Sequence, residues 1–351
     1  MSGYWSKLVR QLTPYVPGEQ PRLDKLVKLN TNESPYPPSP AVLAAIGAVT
    51  GDSLRLYPDP ESSELKEAVA ARNALQPGQV FIGNGSDEVL AHTFQALLKH
   101  KLRLYFPDVT YSFYPVWCEL YGIEHRAVAL ERDFTIDPAA FPAKNGGIII
   151  PNPNAPTGVL MGLGAIRSLL AKSRNSVVVI DEAYIDFGGE SAVQLIDEFD
   201  NLLVIQTLSK SRALAGLRVG VAMGSTQLIE GLERVKNSFN SYPLDILAQR
   251  AAVASLQDED DFLQSCERVI SSRARLGAEM SDLGFEVLPS AAYFIFATHP
   301  GHAAAALFSA LRERGIIVRY FDKPRIDNYL RISVGTDAQC DALLAALREL
   351  V

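Results

Sequence analysis

From residue 79 to residue 224 the sequence keeps returning to one unit, a short run of continuous apolar residues followed by a helical pattern or a polar turn. QVFIG leads into SDEVLAHTFQALLKH, and then come LRLYF, HRAVAL, GIIIP, SVVVID, NLLVIQT and VGVAMG. Runs apolar at every position, without alternation, are strands buried on both faces, and interleaved helices are what cover such faces. The pattern predicts an α/β fold, a large three-layer domain around a mostly parallel sheet. After about residue 240 the texture changes to long helical patterns at 245–257 and 259–283, then FEVLP, YFIFAT, a helix at 302–314, IIVRYF, YLRISV and a last helix, which reads as a smaller α+β domain. Residues 1–60 are rich in proline and read as extended until a helix at 61–75. The expected division is an arm over residues 1–40 packing with the small domain, a large domain over 41–244 and a small domain over 245–351.

The chain of 351 residues carries 40 acidic and 33 basic side chains, a net charge of −7, without a lysine/arginine block that could track a phosphate backbone, so no nucleic-acid partner is expected. Cys118, Cys266 and Cys340 are odd in number and widely spaced, as reduced thiols would be. The opening MSGYWSKLVRQLTPY has no signal-like apolar run, and no segment approaches the roughly 20 apolar residues of a membrane span, so a soluble, cytoplasmic protein is expected. His92, His100, His125, His299 and His302 lack ligand spacing, and no metal site is expected.

In open α/β sheets ligands collect beyond the carboxyl ends of the strands, so the polar residues that end the apolar runs are the first candidates. SVVVI ends in Asp181, with Tyr184 three positions on; NLLVIQT ends in Ser209 and Lys210, with Arg218 eight residues later. GIIIP runs into NPNAPTG, which holds Asn154, and QVFIG runs into NGSDE, where Gly85 and Ser86 open a helix and leave backbone N–H groups free for an anion. Taken singly each has a plainer reading: a solvated lysine, a helix-capping aspartate or serine, a surface arginine. Together they supply an amine nucleophile, a carboxylate, a phenol, an amide and an anion cradle. That inventory suits pyridoxal phosphate, whose aldehyde needs a lysine, whose ring nitrogen needs an acid and whose phosphate needs fixed donors.

The motifs LTPYVPGEQ, KLNTNESPY, RLYPDP, GNGSDE, NPNAPTG, VVVIDEAY, TLSKSRALAGLRVG and YLRISVGT span nearly the whole chain. On them the sequence resembles the fold-type I, pyridoxal-phosphate-dependent aminotransferases of class II, on their histidinol-phosphate branch. The resemblance implies transfer of an amino group between histidinol phosphate and 2-oxoglutarate, giving imidazole-acetol phosphate and glutamate; relatives acting on aromatic amino acids or decarboxylating threonine phosphate are the alternatives. It implies that Lys210 holds the cofactor and then shuttles the proton at Cα, that Asp181 pairs with the ring nitrogen, that Asn154 and Tyr184 bond its phenolic oxygen and that Tyr111 stacks on its face. Gly85, Ser86, Asp87, Ser209 and Arg218 would form the phosphate cup, joined by Tyr57 from the neighbouring subunit of a homodimer. Arg331, with Tyr15, Asn154 and Arg319, would take the substrate; a guanidinium fork suits both carboxylate and phosphate. One departure is that Ser211 and Arg212 stand after the lysine where such enzymes often have a small residue and an aromatic one, which bears on packing and charge at the entrance.

Two other classes fit worse. A dinucleotide-dependent dehydrogenase would need the third glycine of G-x-G-x-x-G, which IGNGSDE lacks. A non-catalytic binding protein has no need of a lysine placed to form a Schiff base.

Overall fold

The computed structural model describes residues 3–16, 18–21 and 26–351; Pro17 of the LTPYVPGEQ motif and part of the 1–40 arm lie outside the described residues. The central sheet has seven strands in the spatial order Val80–Asn84, Val219–Gly224, Leu202–Thr207, Val178–Asp181, Gly147–Pro151, Leu104–Pro107 and His125–Val128. Every neighbouring pair is parallel except those made by Val219–Gly224, which runs against both its neighbours. Direction is invisible in VGVAMG because an apolar run reads the same either way.

Because successive side chains point to opposite faces, a strand apolar throughout feeds two cores. Val178, Ile180, Leu202 and Val204 join Ile166 and Leu169 of the helix Leu163–Lys172 and Ala248 and Ala251 of the helix Ile246–Gln257. Val179, Leu203 and Ile205 face the other way, onto Val89, Leu90 and Phe94 of the helix Gly85–Leu97 and Leu232 of the helix Thr226–Asn237. Both layers are closed, which leaves the strand tips as the place where backbone and side chains meet a ligand.

A second sheet pairs Arg319–Tyr320, Leu330–Ser333, Phe294–Thr298 and Glu286–Val287 antiparallel, backed by the helices Glu259–Asp282, Ala304–Glu313 and Asp337–Leu350. IIVRYF, which reads as one strand, divides: Ile316–Ile317 pairs parallel with Val27–Lys28 of the arm, and Arg319–Tyr320 pairs with Leu330–Arg331. The proline-rich start is also more ordered than its composition suggests, with helices at Pro40–Gly47 and Gly51–Leu54. Ser39 caps the first of them from the residue before a proline at the opening turn, where a missing N–H costs nothing. No helix among the described residues is long and apolar enough to cross a membrane.

Candidate active site

The carboxyl ends of the parallel strands open into a cleft that the arm and the second sheet complete. Asp181, Tyr184, Ser209, Lys210 and Arg218 line it from the central sheet, Ser86 and Asp87 from the helix Gly85–Leu97, Tyr15 and Asn32 from the arm, and Arg319 and Arg331 from the second sheet. Eleven of the fourteen residues singled out in the sequence line this space; Gly85 packs on Arg218 of the lining, Asn154 is buried between lining Pro153 and Ala155, and Tyr57 is elsewhere, 82% exposed and stacked on Tyr242 with ring centroids 4.6 Å apart.

Asp181 is the last residue of its strand and is buried. Its Oδ2 accepts a hydrogen bond of 2.8 Å from the phenol of fully buried Tyr114, while Oδ1 is buried with no partner among the described residues. Burial drives its pKa up to about 6, against the pull of the Tyr114 and Ala183 hydrogen bonds. A lone, desolvated carboxylate oxygen costs stability unless a cation meets it, so the carboxylate is built for a positively charged donor. The next residue, Glu182, is also buried, takes hydrogen bonds from Ser191, the Ala192 N–H and Gln206, and is raised to about 7, again by burial.

Lys210 follows the adjacent strand. Its Nζ donates 3.0 Å to the Asn32 carbonyl and lies 5.8 Å from the centre of the Tyr184 ring. Tyr184 OH in turn accepts from Asn32 Nδ2 at 3.0 Å. The amine is thus held at the cleft by weak neutral contacts, with no carboxylate of the described residues within ion-pair distance.

The anion cradle forms where helix and loop meet. The helix Gly85–Leu97 starts without a side-chain cap, so its first N–H groups are free to bind an anion. Gly85 has φ +79°, and a β-carbon there would sit 2.4 Å from Arg218 Nη2; one on Gly220 would lie 2.3 Å from the Gly85 carbonyl carbon. Both glycines are needed for this approach. Arg218, itself at φ 52°, reaches Asp87 Oδ2 at 3.2 Å and Ser209 Oγ at 3.4 Å. Tyr111 donates to Asp87 Oδ1 at 3.1 Å, and Tyr15 stacks on Phe113 with centroids 4.6 Å apart.

Arg331 donates 2.7 Å to the Asn30 carbonyl, and its guanidinium lies between the rings of Phe294 and Phe321, at 5.4 and 5.6 Å. Its Nε has no partner among the described residues, and desolvation lowers its pKa. Arg319 lies 5.4 Å over Phe321 from the neighbouring strand. Asn154 is fully buried behind the cleft: Nδ2 donates to the Val109 carbonyl and to Thr157 Oγ1, leaving Oδ1 free. Arg212, the unusual residue after the lysine, turns away from the cleft. It pairs with Glu259 at 2.9 Å and covers the Phe262 ring at 3.7 Å, so it adds no charge at the entrance.

Several residues of the site went unassigned in the sequence, Asn32, Tyr114 and Thr110 among them. Asn32 sits within KLNTNESPY and Tyr114 within the aromatic run PDVTYSFY, but nothing local marks either as facing Lys210 or Asp181; only the fold does. Thr110 lines the cleft with a buried hydroxyl that has no partner among the described residues.

The family model for aminotransferase class I and II matches residues 24–347. The chain belongs to this family. A histidinol-phosphate aminotransferase of Dechloromonas aromatica is 62% identical over 100% of this chain and 99% of the relative. One of Thiobacillus denitrificans is 63% identical over 99% and 98%. Among solved structures, the histidinol-phosphate aminotransferase of Sinorhizobium meliloti in complex with pyridoxal-5'-phosphate superposes with a TM-score of 0.86 at 24% identity, covering 100% of this chain and 99% of that one. That likeness supports the α/β architecture expected from the strand pattern and the fold type I that the resemblance implies.

Proposed function

We propose that this chain is a pyridoxal-phosphate-dependent aminotransferase that converts histidinol phosphate and 2-oxoglutarate to imidazole-acetol phosphate and glutamate in histidine biosynthesis, as a cytoplasmic homodimer. The observation that carries the reading is the pairing of Lys210 and Asp181 on adjacent strand tips of one cleft, Asp181 with an unmet buried oxygen, in a chain 62% identical end to end to a relative named for that activity.

When bound in the cleft, pyridoxal phosphate supplies an aldehyde that takes up the amino group and a ring that accepts the electron pair of the broken Cα–H bond. Lys210 would hold that aldehyde through Nζ and, once released, carry the proton away from Cα; the weak contacts to Asn32 and Tyr184 leave the amine free to do so. Asp181 Oδ1 would hold a proton on the ring nitrogen, with Tyr114 fixing the carboxylate. The free N–H groups at Gly85 and Ser86, together with Ser209 and Arg218, would grip the phosphate, and Asp87 would orient Arg218 and Tyr111. Tyr111 would stack on the ring. Tyr184 would donate to the phenolic oxygen; for Asn154 to do the same its amide must give up Val109 or Thr157, since the atom now free is an acceptor. Arg331, helped by Arg319 and Tyr15, would bind the phosphate of histidinol phosphate or a carboxylate of glutamate, since its fork fits both.

The exposed Tyr57 and Tyr242 stack, with exposed Leu54 and Leu56 just before Tyr57 in sequence, supports a subunit contact through which Tyr57 reaches the partner's cofactor phosphate. The test is chemical. Purified holoprotein treated with borohydride should lose its visible absorbance and retain the cofactor on the peptide containing Lys210, and untreated protein should form glutamate from histidinol phosphate and 2-oxoglutarate. Label at another lysine, or no glutamate, would overturn the reading.

A further inference from the structure

Asn32 makes four hydrogen bonds at the junction of arm, central sheet and second sheet. Its carbonyl accepts from Lys210 Nζ at 3.0 Å, and its N–H donates to Ser333 Oγ at 3.1 Å. Ser333 Oγ gives its own proton to Asn32 Oδ1 at 2.7 Å, so the amide is anchored by its oxygen and presents Nδ2 to Tyr184 OH, 3.0 Å away. The residue is buried, and its backbone has φ 54°, a left-handed conformation that asparagine tolerates better than other side chains.

A phenol has one proton to give and lone pairs to receive with. Because Asn32 Nδ2 donates one of its protons to the Tyr184 oxygen, the Tyr184 proton is left to point elsewhere, and the remaining direction is the cleft that Tyr184 lines. We propose that Asn32 is a positioning residue that fixes Tyr184 as a hydrogen-bond donor into the cleft while its carbonyl holds Lys210 beside it. The Asn32 amide acts through Tyr184 and touches no reacting atom, while its carbonyl meets Lys210 Nζ. The idea rests on the proposed cofactor reading, in which Tyr184 meets the phenolic oxygen of the bound ring. A donor at that oxygen takes up negative charge that would otherwise retain the proton on the lysine–cofactor nitrogen. Loss of the donor therefore raises the pH at which that nitrogen deprotonates.

The experiment is a spectroscopic pH titration of the cofactor-loaded protein. It compares wild type with Asn32→Gly, Asn32→Asp, Tyr184→Phe and the double variant Asn32→Gly/Tyr184→Phe. Glycine accepts φ 54° without strain, so Asn32→Gly keeps the carbonyl under Lys210 and removes only the amide. Asn32→Asp keeps the oxygen that Ser333 needs and puts an acceptor before Tyr184, turning its proton away from the cleft.

Losing one oriented hydrogen bond should raise the titration midpoint by about 0.4 to 1 pH unit in Asn32→Gly. Asn32→Asp should shift it at least as far, and Asn32→Gly should add nothing once Tyr184 is phenylalanine. A shift in Tyr184→Phe with none in Asn32→Gly or Asn32→Asp would overturn the proposal and leave the cofactor reading intact. Equal, additive shifts from Asn32→Gly in both backgrounds would overturn it too, by showing an effect that bypasses Tyr184. Were no variant, Tyr184→Phe included, to move the midpoint, both the proposal and the placement of Tyr184 would fall.

Discussion

Replacing Asp181 with asparagine should make the cofactor-free protein more stable at alkaline pH. The carboxyl titrates near 3.8 when unfolded and at about 6 when folded, because burial disfavours its charge. Between those values the folded chain keeps a proton that the unfolded chain has released, so stability falls as pH rises through the window. Above it the penalty of about two pKa units amounts to about 3 kcal/mol, at 1.36 kcal/mol per unit. Asparagine keeps an acceptor for Tyr114 and carries no charge, so urea unfolding of cofactor-free Asp181→Asn at pH 8 should exceed wild type by about 1 to 3 kcal/mol. The gain should shrink to about 1 kcal/mol or less by pH 4.5, where the wild-type carboxyl is protonated in the fold. Glu182 titrates in a similar window from the other side of the strand, but it is fully hydrogen-bonded and away from the cleft. Saturating cofactor should therefore reverse the order for Asp181→Asn alone, because in the proposed site only Asp181 would meet a cation on binding. A variant equally or less stable than wild type at pH 8 without cofactor would refute the claim that the carboxylate is buried in waiting for a positive partner.

Lys210→Ala should fold normally by circular dichroism, lose its borohydride-trappable chromophore and slow turnover by at least about 10²- to 10⁴-fold; unchanged activity would remove Lys210 from the chemistry. Gly220→Ala would press a methyl group onto the Gly85 backbone 2.3 Å away, so it should cost about 1 to 3 kcal/mol in urea unfolding and weaken cofactor binding measured by fluorescence titration. Arg331→Gln should raise the KM for histidinol phosphate by about 10- to 150-fold, the worth of a charge-assisted hydrogen bond, with the cofactor spectrum unchanged. If Tyr57 serves the partner's site, Tyr57→Ala and Lys210→Ala homodimers should both be impaired, and mixing them under subunit exchange should restore one functional site per heterodimer; no recovery in steady-state assays would place Tyr57 outside the site.

Strand ends carried the readable part of the site. Asp181 and Lys210 stand where unbroken apolar runs stop, and such runs in an α/β sheet can only end at an edge of the layer. What stayed hidden depends on contacts between distant segments. Asn32 and Ser333 are 301 residues apart in sequence and meet only after the arm docks on the second sheet. Tyr114 looks like one more core aromatic until the helix Tyr114–Tyr121 sets its hydroxyl on Asp181, 67 residues away. The helix at Pro40–Gly47 was masked by flanking prolines, although Ser39 followed by a proline is a helix start when an apolar stretch comes after it. The reversal of Val219–Gly224 left no trace because a doubly buried strand has no polar face to show which way it runs.

The most direct test of the central assignment is a comparison of kcat/KM for histidinol phosphate, phenylalanine, tyrosine and threonine phosphate with the same preparation of holoprotein and 2-oxoglutarate as acceptor. Histidinol phosphate should be preferred over each of the others, with imidazole-acetol phosphate and glutamate formed in equal amounts. A clear preference for phenylalanine, or release of carbon dioxide from threonine phosphate, would contradict it.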